Sequence, residues 1–144
     1  MHVRAVLDPN FIISGVLSPT GNAARVLRAW ERGEFELLVS PALLEELGRA
    51  LAYPKLRRRI SEEDGRTVLR WFAESATSAS DPEDPPPVTS ADPGDDYLIA
   101  LAASQRAILV SGDKHLLDLA DDIPVFTPAL FLDLLATPTT DTGI

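Results

Sequence analysis

Residues 3–17 read VRAVLDPNFIISGVL, and the way this stretch divides decides the fold. Residues 3–7 are short and mostly apolar, the pattern of a strand buried on both faces. Asp8, Pro9 and Asn10 interrupt it, and from Phe11 the chain is apolar again in a helix-like stretch. A carboxylate between two apolar runs is expensive, because a buried charge is unfavourable unless it is paired or bound to a cation. Asp8 therefore either opens a turn, as Asp-Pro often does, or ends a strand where something offsets its charge.

Reading outward, SPTGN (18–22) marks a turn, and AARVLRAWERG (23–33) sets Ala23, Val26, Leu27 and Trp30 on one helical face before Gly33 stops it. FELLVS (35–40) is a second strand. Ser40-Pro41 has the chemistry of a helix start, and PALLEELGRALA follows, ending before Pro54. SEEDGRTVLRWFAESA (61–76) opens on acidic residues suited to the positive end of a helix. The proline-rich stretch at 80–95 is a loop inside the domain, since the strands on either side must share a sheet to bury their faces. DDYLIALAASQ (95–105) is a helix with Asp95 and Asp96 in its first turn. AILVSGD (107–113) is a strand, KHLLDLA a short helix, IPVFT (123–127) a further strand and PALFLDLLA (128–136) a last helix. This alternation predicts an α/β fold with a mainly parallel central sheet of four or five strands and helices on both faces. Residues 1–136 form one domain in this reading, and 137–144, without apolar periodicity, a disordered tail.

At 144 residues and 45% hydrophobic, the chain can bury a single sizeable core. No apolar run approaches the roughly 18 residues of a membrane helix, and the start lacks an export-signal layout. With no cysteine, disulfides, thiolate zinc sites and cysteine nucleophiles are excluded, and a cytoplasmic protein is expected. The net charge of −9 argues against a phosphate-rich partner, but it is unevenly spread. Residues 1–70 carry 11 Lys and Arg against 9 Asp and Glu, whereas 71–144 carry 2 against 13. A local basic surface in the first half is therefore allowed, and Arg57, Arg58 and Arg59 in KLRRRI are where it would contact a nucleic-acid backbone.

In an open parallel sheet the working crevice lies beyond the carboxyl ends of the strands. Asp8 and Asp113 each directly follow a strand, Glu45 and Glu46 lie in the helix leaving the second, and Asp95 and Asp96 open a helix leading into another. Each alone has an ordinary reading: a turn, a solvated helix flank or a helix-dipole partner. Together they fall at one edge of one sheet. Two unit charges ~4 Å apart repel by roughly 4 kcal/mol at an effective dielectric of about 20, and a hard divalent cation with oxygen ligands relieves this. Such a centre suits phosphodiester hydrolysis and needs none of the residues this chain lacks.

The segments VLDPNFIISGVLSP, LLVSPALLEELGRAL, DDYLIALAA and ILVSGDKHLLDL, in this order and spacing, resemble a PIN-domain protein over residues 3 to about 132. The resemblance is to the bacterial and archaeal group of toxin components related to VapC. It implies an endoribonuclease that uses Mg²⁺ or Mn²⁺ to activate water, cutting single-stranded RNA to a 5′-phosphate and a 3′-hydroxyl. It matches Asp8, Glu46, Asp96 and Asp113 to the family's catalytic and metal-binding acids, with Asn10 and Ser111 in support. A protein antitoxin and a homodimer are implied as partners. One position departs: Pro9 stands where the family usually has Ser or Thr. The alternative is a PIN-like module, weak or inactive in catalysis, that binds an antitoxin or RNA. A haloacid-dehalogenase-type phosphatase fits worse, because it would want an Asp where Asn10 stands. So does a phospho-receiver domain, whose acidic pair belongs at strand one.

Overall fold

Ala5, Val6 and Leu7 are completely shielded from solvent, and they form the last three residues of β1 (Arg4–Leu7), the middle strand of the sheet. In the computed structural model of the protein, residues 3–137 are described; residues 1–2 and 138–144, the latter nearly all of the expected tail, lie outside the described residues. After β1 come α1 (Pro9–Leu17), α2 (Asn22–Glu31), β2 (Glu36–Val39), α3 (Pro41–Leu51), α4 (Pro54–Arg57), α5 (Glu62–Ser75) and β3 (Thr77–Ser78). A long loop with a 3₁₀ turn at Pro93–Asp95 leads to α6 (Asp96–Gln105), β4 (Ile108–Val110), α7 (Lys114–Leu117), β5 (Val125–Phe126) and α8 (Pro128–Ala136).

The strands pair in the order β3-β2-β1-β4-β5, all parallel, with Ala5 opposite both Leu37 and Ile108 and Leu7 opposite Val110. Successive strands run outward from β1 to β3, and the chain then crosses back to place β4 on the other side of β1. That reversal opens a crevice at the carboxyl ends of β1 and β4, the position where open α/β sheets take their ligands. The fold is the three-layer α/β arrangement expected. α6 packs on β1 and β4, while α1, α2, α3, α5 and α8 form a linked set.

Helix starts follow the side-chain chemistry. Ser40, Ser61 and Thr127 accept the N–H groups of Leu43, Asp64 and Leu130 at 3.2, 3.0 and 3.1 Å. Pro41 and Pro128 supply the first helical residue, where a missing N–H is not missed. α1 and α2 touch closely at Gly15: a Cβ there would stand 2.8 Å from Leu27 Cδ1 and 3.0 Å from the Ala23 backbone, so only hydrogen fits. Phe72 of α5, fully buried, stacks on Trp30 with ring centroids 5.3 Å apart, and α8 is docked by an edge-on Phe131–Phe35 contact at 5.0 Å.

Two elements go beyond the sequence reading. β3 is a two-residue edge strand of exposed Thr77 and Ser78, held by backbone pairing to β2 and carrying no apolar signal. α4 begins at Pro54, where the sequence suggested only an end. The 80–95 loop is tied back to the domain: Asp81 Oδ2 accepts the Ala42 N–H at 2.8 Å at the start of α3. No helix among the described residues is long and apolar enough to cross a membrane.

Candidate functional site

Asp8 is the N-cap of α1 and one of only four buried polar residues among those described. Its Oδ1 accepts the Asn10 N–H at 3.0 Å and its Oδ2 accepts the Ser111 hydroxyl at 2.9 Å. The Ser111 oxygen in turn accepts the Asp113 N–H at 2.9 Å. One fully buried serine thus ties the end of β1 to the turn after β4. Pro9 is the first residue of α1, so its lack of an N–H costs the helix nothing, because that group would have no intrahelical acceptor. Asp113 caps α7 through the His115 N–H at 2.9 Å, and Asp92 caps the 3₁₀ turn through the Gly94 N–H at 3.0 Å.

The crevice has two adjoining parts that share Asp8 and Asn10. One, of about 210 Å³, is lined by Glu46, Tyr53, Asp92, Gly94, Asp95 and Tyr97; the other, of about 450 Å³, by Phe11, Ser14, Gly112, Asp113 and Pro128. Asp8, Glu46, Asp95 and Asp113 therefore meet here from four separate segments. Burial and crowding show at two of them, Asp8 and Asp95. Burial holds Asp8 above the usual carboxylate range against the two hydrogen bonds that favour its charged form, and Asp113 and Glu46 push it up further. Asp95 is raised to about 7, by burial first and then by the charges of Asp8, Asp113 and Asp92. Burial also raises the Tyr97 phenol, and Glu46, Asp8 and Asp95 add to it, so this hydroxyl keeps its proton and stays a donor.

Asp96 is placed differently from Asp95. Its Oδ1 accepts the Ser90 N–H at 2.8 Å, anchoring the loop before the 3₁₀ turn, and it is not among the residues lining the crevice. The sequence puts both acids at this edge of the sheet and the resemblance picks Asp96, yet Asp95 is the member of the pair that lines the crevice with the other acids. Asn10 lines the crevice and Ser111 lies beneath it. Arg58 and Arg59 are exposed just beyond α4, whose N-cap Tyr53 lines the crevice, while Arg57 reaches Glu62 at 4.0 Å.

A divalent cation fits this chemistry. The donors are hard oxygens, and among the described residues Asp95 Oδ2 and the Tyr97 hydroxyl are buried without a hydrogen-bond partner. Among the described ion pairs, no Lys or Arg neutralises Asp8, Asp95 or Asp113; Glu46 alone has a partner, Arg49 at 3.5 Å. Among the described residues, no three Asp, Glu or His side chains stand at ligating distance around one point. Replacing Ser111 with alanine would strip Asp8 Oδ2 and the Asp113 N–H of their shared partner. A loss of about 1–3 kcal/mol is expected in urea denaturation of the metal-free protein.

Residues 4–115 match the family model described as PIN domain. The uncharacterised protein MJ1680 of Methanocaldococcus jannaschii is 28% identical over 122 residues, which span 85% of this chain and 78% of that protein. The structure of VapBC2 from Rickettsia felis, bound to a DNA fragment from their promoter, superposes with a TM-score of 0.59 at 12% identity, over 87% of this chain and 97% of that one. FitAcB from Neisseria gonorrhoeae gives 0.57 at 18% identity, over 87% and 98%. With the family model spanning residues 4–115, most of the chain, this chain belongs to the PIN-domain family.

Proposed function

We propose that this protein is a metal-dependent endoribonuclease that cleaves single-stranded RNA, the toxin of a toxin–antitoxin pair, working as a homodimer in the cytoplasm. The observation that carries the reading is the convergence of Asp8, Glu46, Asp95 and Asp113, of which three have no cationic side chain to offset them among the described residues. PIN domains are a nuclease family, and the likeness to VapBC2 and FitAcB supports a protein partner.

Mg²⁺ or Mn²⁺ held by Asp8, Asp95 and Asp113, with Glu46 at the margin, would activate water and offset the charge that develops on phosphate oxygens. The chain's own residues do the rest. Asn10 N–H and Ser111 fix both oxygens of Asp8, so its carboxylate cannot rotate away from the crevice. Ser111 also fixes the backbone from which Asp113 projects. The Tyr97 hydroxyl, buried and protonated, is a donor within electrostatic reach of Glu46, Asp8 and Asp95. The amino end of α1 meets the crevice at Asp8, and its dipole favours negative charge there. Water bonds to phosphorus as the bond to the 3′ oxygen breaks, which leaves a 5′-phosphate and a 3′-hydroxyl.

One observation favours the alternative of a weak or inactive binding module: Arg49 draws on the Glu46 carboxylate. An assay of pure protein on single-stranded RNA separates the two readings. The nuclease reading expects cleavage with Mn²⁺ and none with EDTA. The module expects none in either, with a protein partner still co-purifying.

A further inference from the structure

We infer that Tyr53 is a stacking platform for the nucleobase next to the scissile phosphate, a role that rests on the ribonuclease reading above. Tyr53 is 59% exposed, one of two large hydrophobic side chains left open on the described surface, and it lines the same crevice as Asp8, Glu46 and Asp95. Asp92, Gly94 and Asp95 share the lining with it, and among the described residues the ring has no aromatic partner. An exposed ring at the rim of an acidic crevice is out of place as packing, but it suits a ligand that brings both a charge and an aromatic face. A nucleotide is such a ligand: its phosphate belongs with the cation and its base has a π-face to stack.

The backbone holds this ring in readiness. The Tyr53 N–H bonds to the Ala50 carbonyl at 3.2 Å, and its own carbonyl accepts the N–H groups of Leu56 and Arg57 at 2.9 and 3.0 Å. Pro54 further restricts Tyr53 to the extended conformation it adopts, φ −62° and ψ 138°. Only the side-chain torsions remain to be ordered on binding. α4 leads directly from Tyr53 to Arg57, and the exposed Arg58 and Arg59 follow within six residues of the ring along the chain.

The test uses a set of short single-stranded oligoribonucleotides in which one abasic nucleotide is stepped along the sequence, cleaved with Mn²⁺ by wild type, Y53A and Y53F. Wild type should show one position, beside the cleaved bond, where the missing base raises KM roughly ten- to a hundredfold, as loss of one stacked base would. Y53A should show that raised KM with every oligonucleotide and no further penalty at that position, while Y53F behaves as wild type. Cleavage by wild type together with an unchanged KM for Y53A, or an abasic penalty that persists in Y53A, overturns the role of Tyr53 and leaves the ribonuclease reading standing. Absence of cleavage by wild type on every RNA overturns both.

Discussion

The Asp8→Asn variant is expected to lose ribonuclease activity by roughly a hundredfold or more while folding at least as stably as wild type without metal. Asparagine keeps the shape and can still accept the Asn10 N–H as a good N-cap. Its amide N–H can bond the Ser111 oxygen where Oδ2 had accepted that hydroxyl, so α1 should start as before. What disappears is the charge, and the fold bears that charge at a cost, since burial and the neighbouring acids hold the Asp8 carboxyl above its ordinary range. Removing it should leave the metal-free Tm unchanged or higher and abolish the rise in Tm that Mn²⁺ gives wild type. Activity lost together with stability would instead mark Asp8 as a structural cap.

Asp95→Asn should remove activity by a similar factor, whereas Asp96→Asn should stay within about tenfold of wild type, because its amide oxygen can still accept the Ser90 N–H. Asp95 also makes a pH-dependent signature. Its folded pKa of about 7 lies above the value near 4 of an unfolded carboxyl, so the folded state holds an extra proton between these values. The ionised form therefore destabilises the fold, and this contribution grows as pH rises from about 4 to about 7. In EDTA the Tm of Asp95→Asn should match wild type near pH 4, exceed it increasingly up to about pH 7 and level off above that; with Mn²⁺ at pH 8 the order should reverse. An inactive Asp96→Asn beside an active Asp95→Asn would transfer the role to Asp96.

That pair also shows how far the sequence could be read. The core strands were legible because both faces of the sheet are covered, so residues 5–7, 37–39 and 108–110 are apolar runs bounded by polar residues. Ser40-Pro41 and Thr127-Pro128 announced their helices through capping chemistry that acts within four residues. β3 was invisible because Thr77 and Ser78 contribute backbone pairing and bury no apolar side chain. Asp95 and Asp96 could not be told apart for a geometric reason: one residue turns about 100° on a helix, and the 3₁₀ turn at Pro93–Asp95 changes the phase just where it matters. Tyr53 gave no signal either, since its position on the crevice rim depends on how α3 ends and α4 begins.

The central claim is that carboxylates distant in sequence gather around a divalent ion, and anomalous diffraction from crystals grown with Mn²⁺ measures this most directly. The account predicts a manganese peak within bonding distance of Asp8, Asp95 and Asp113. A crevice with no such peak, its acids spread apart or paired with arginine or lysine, would contradict it.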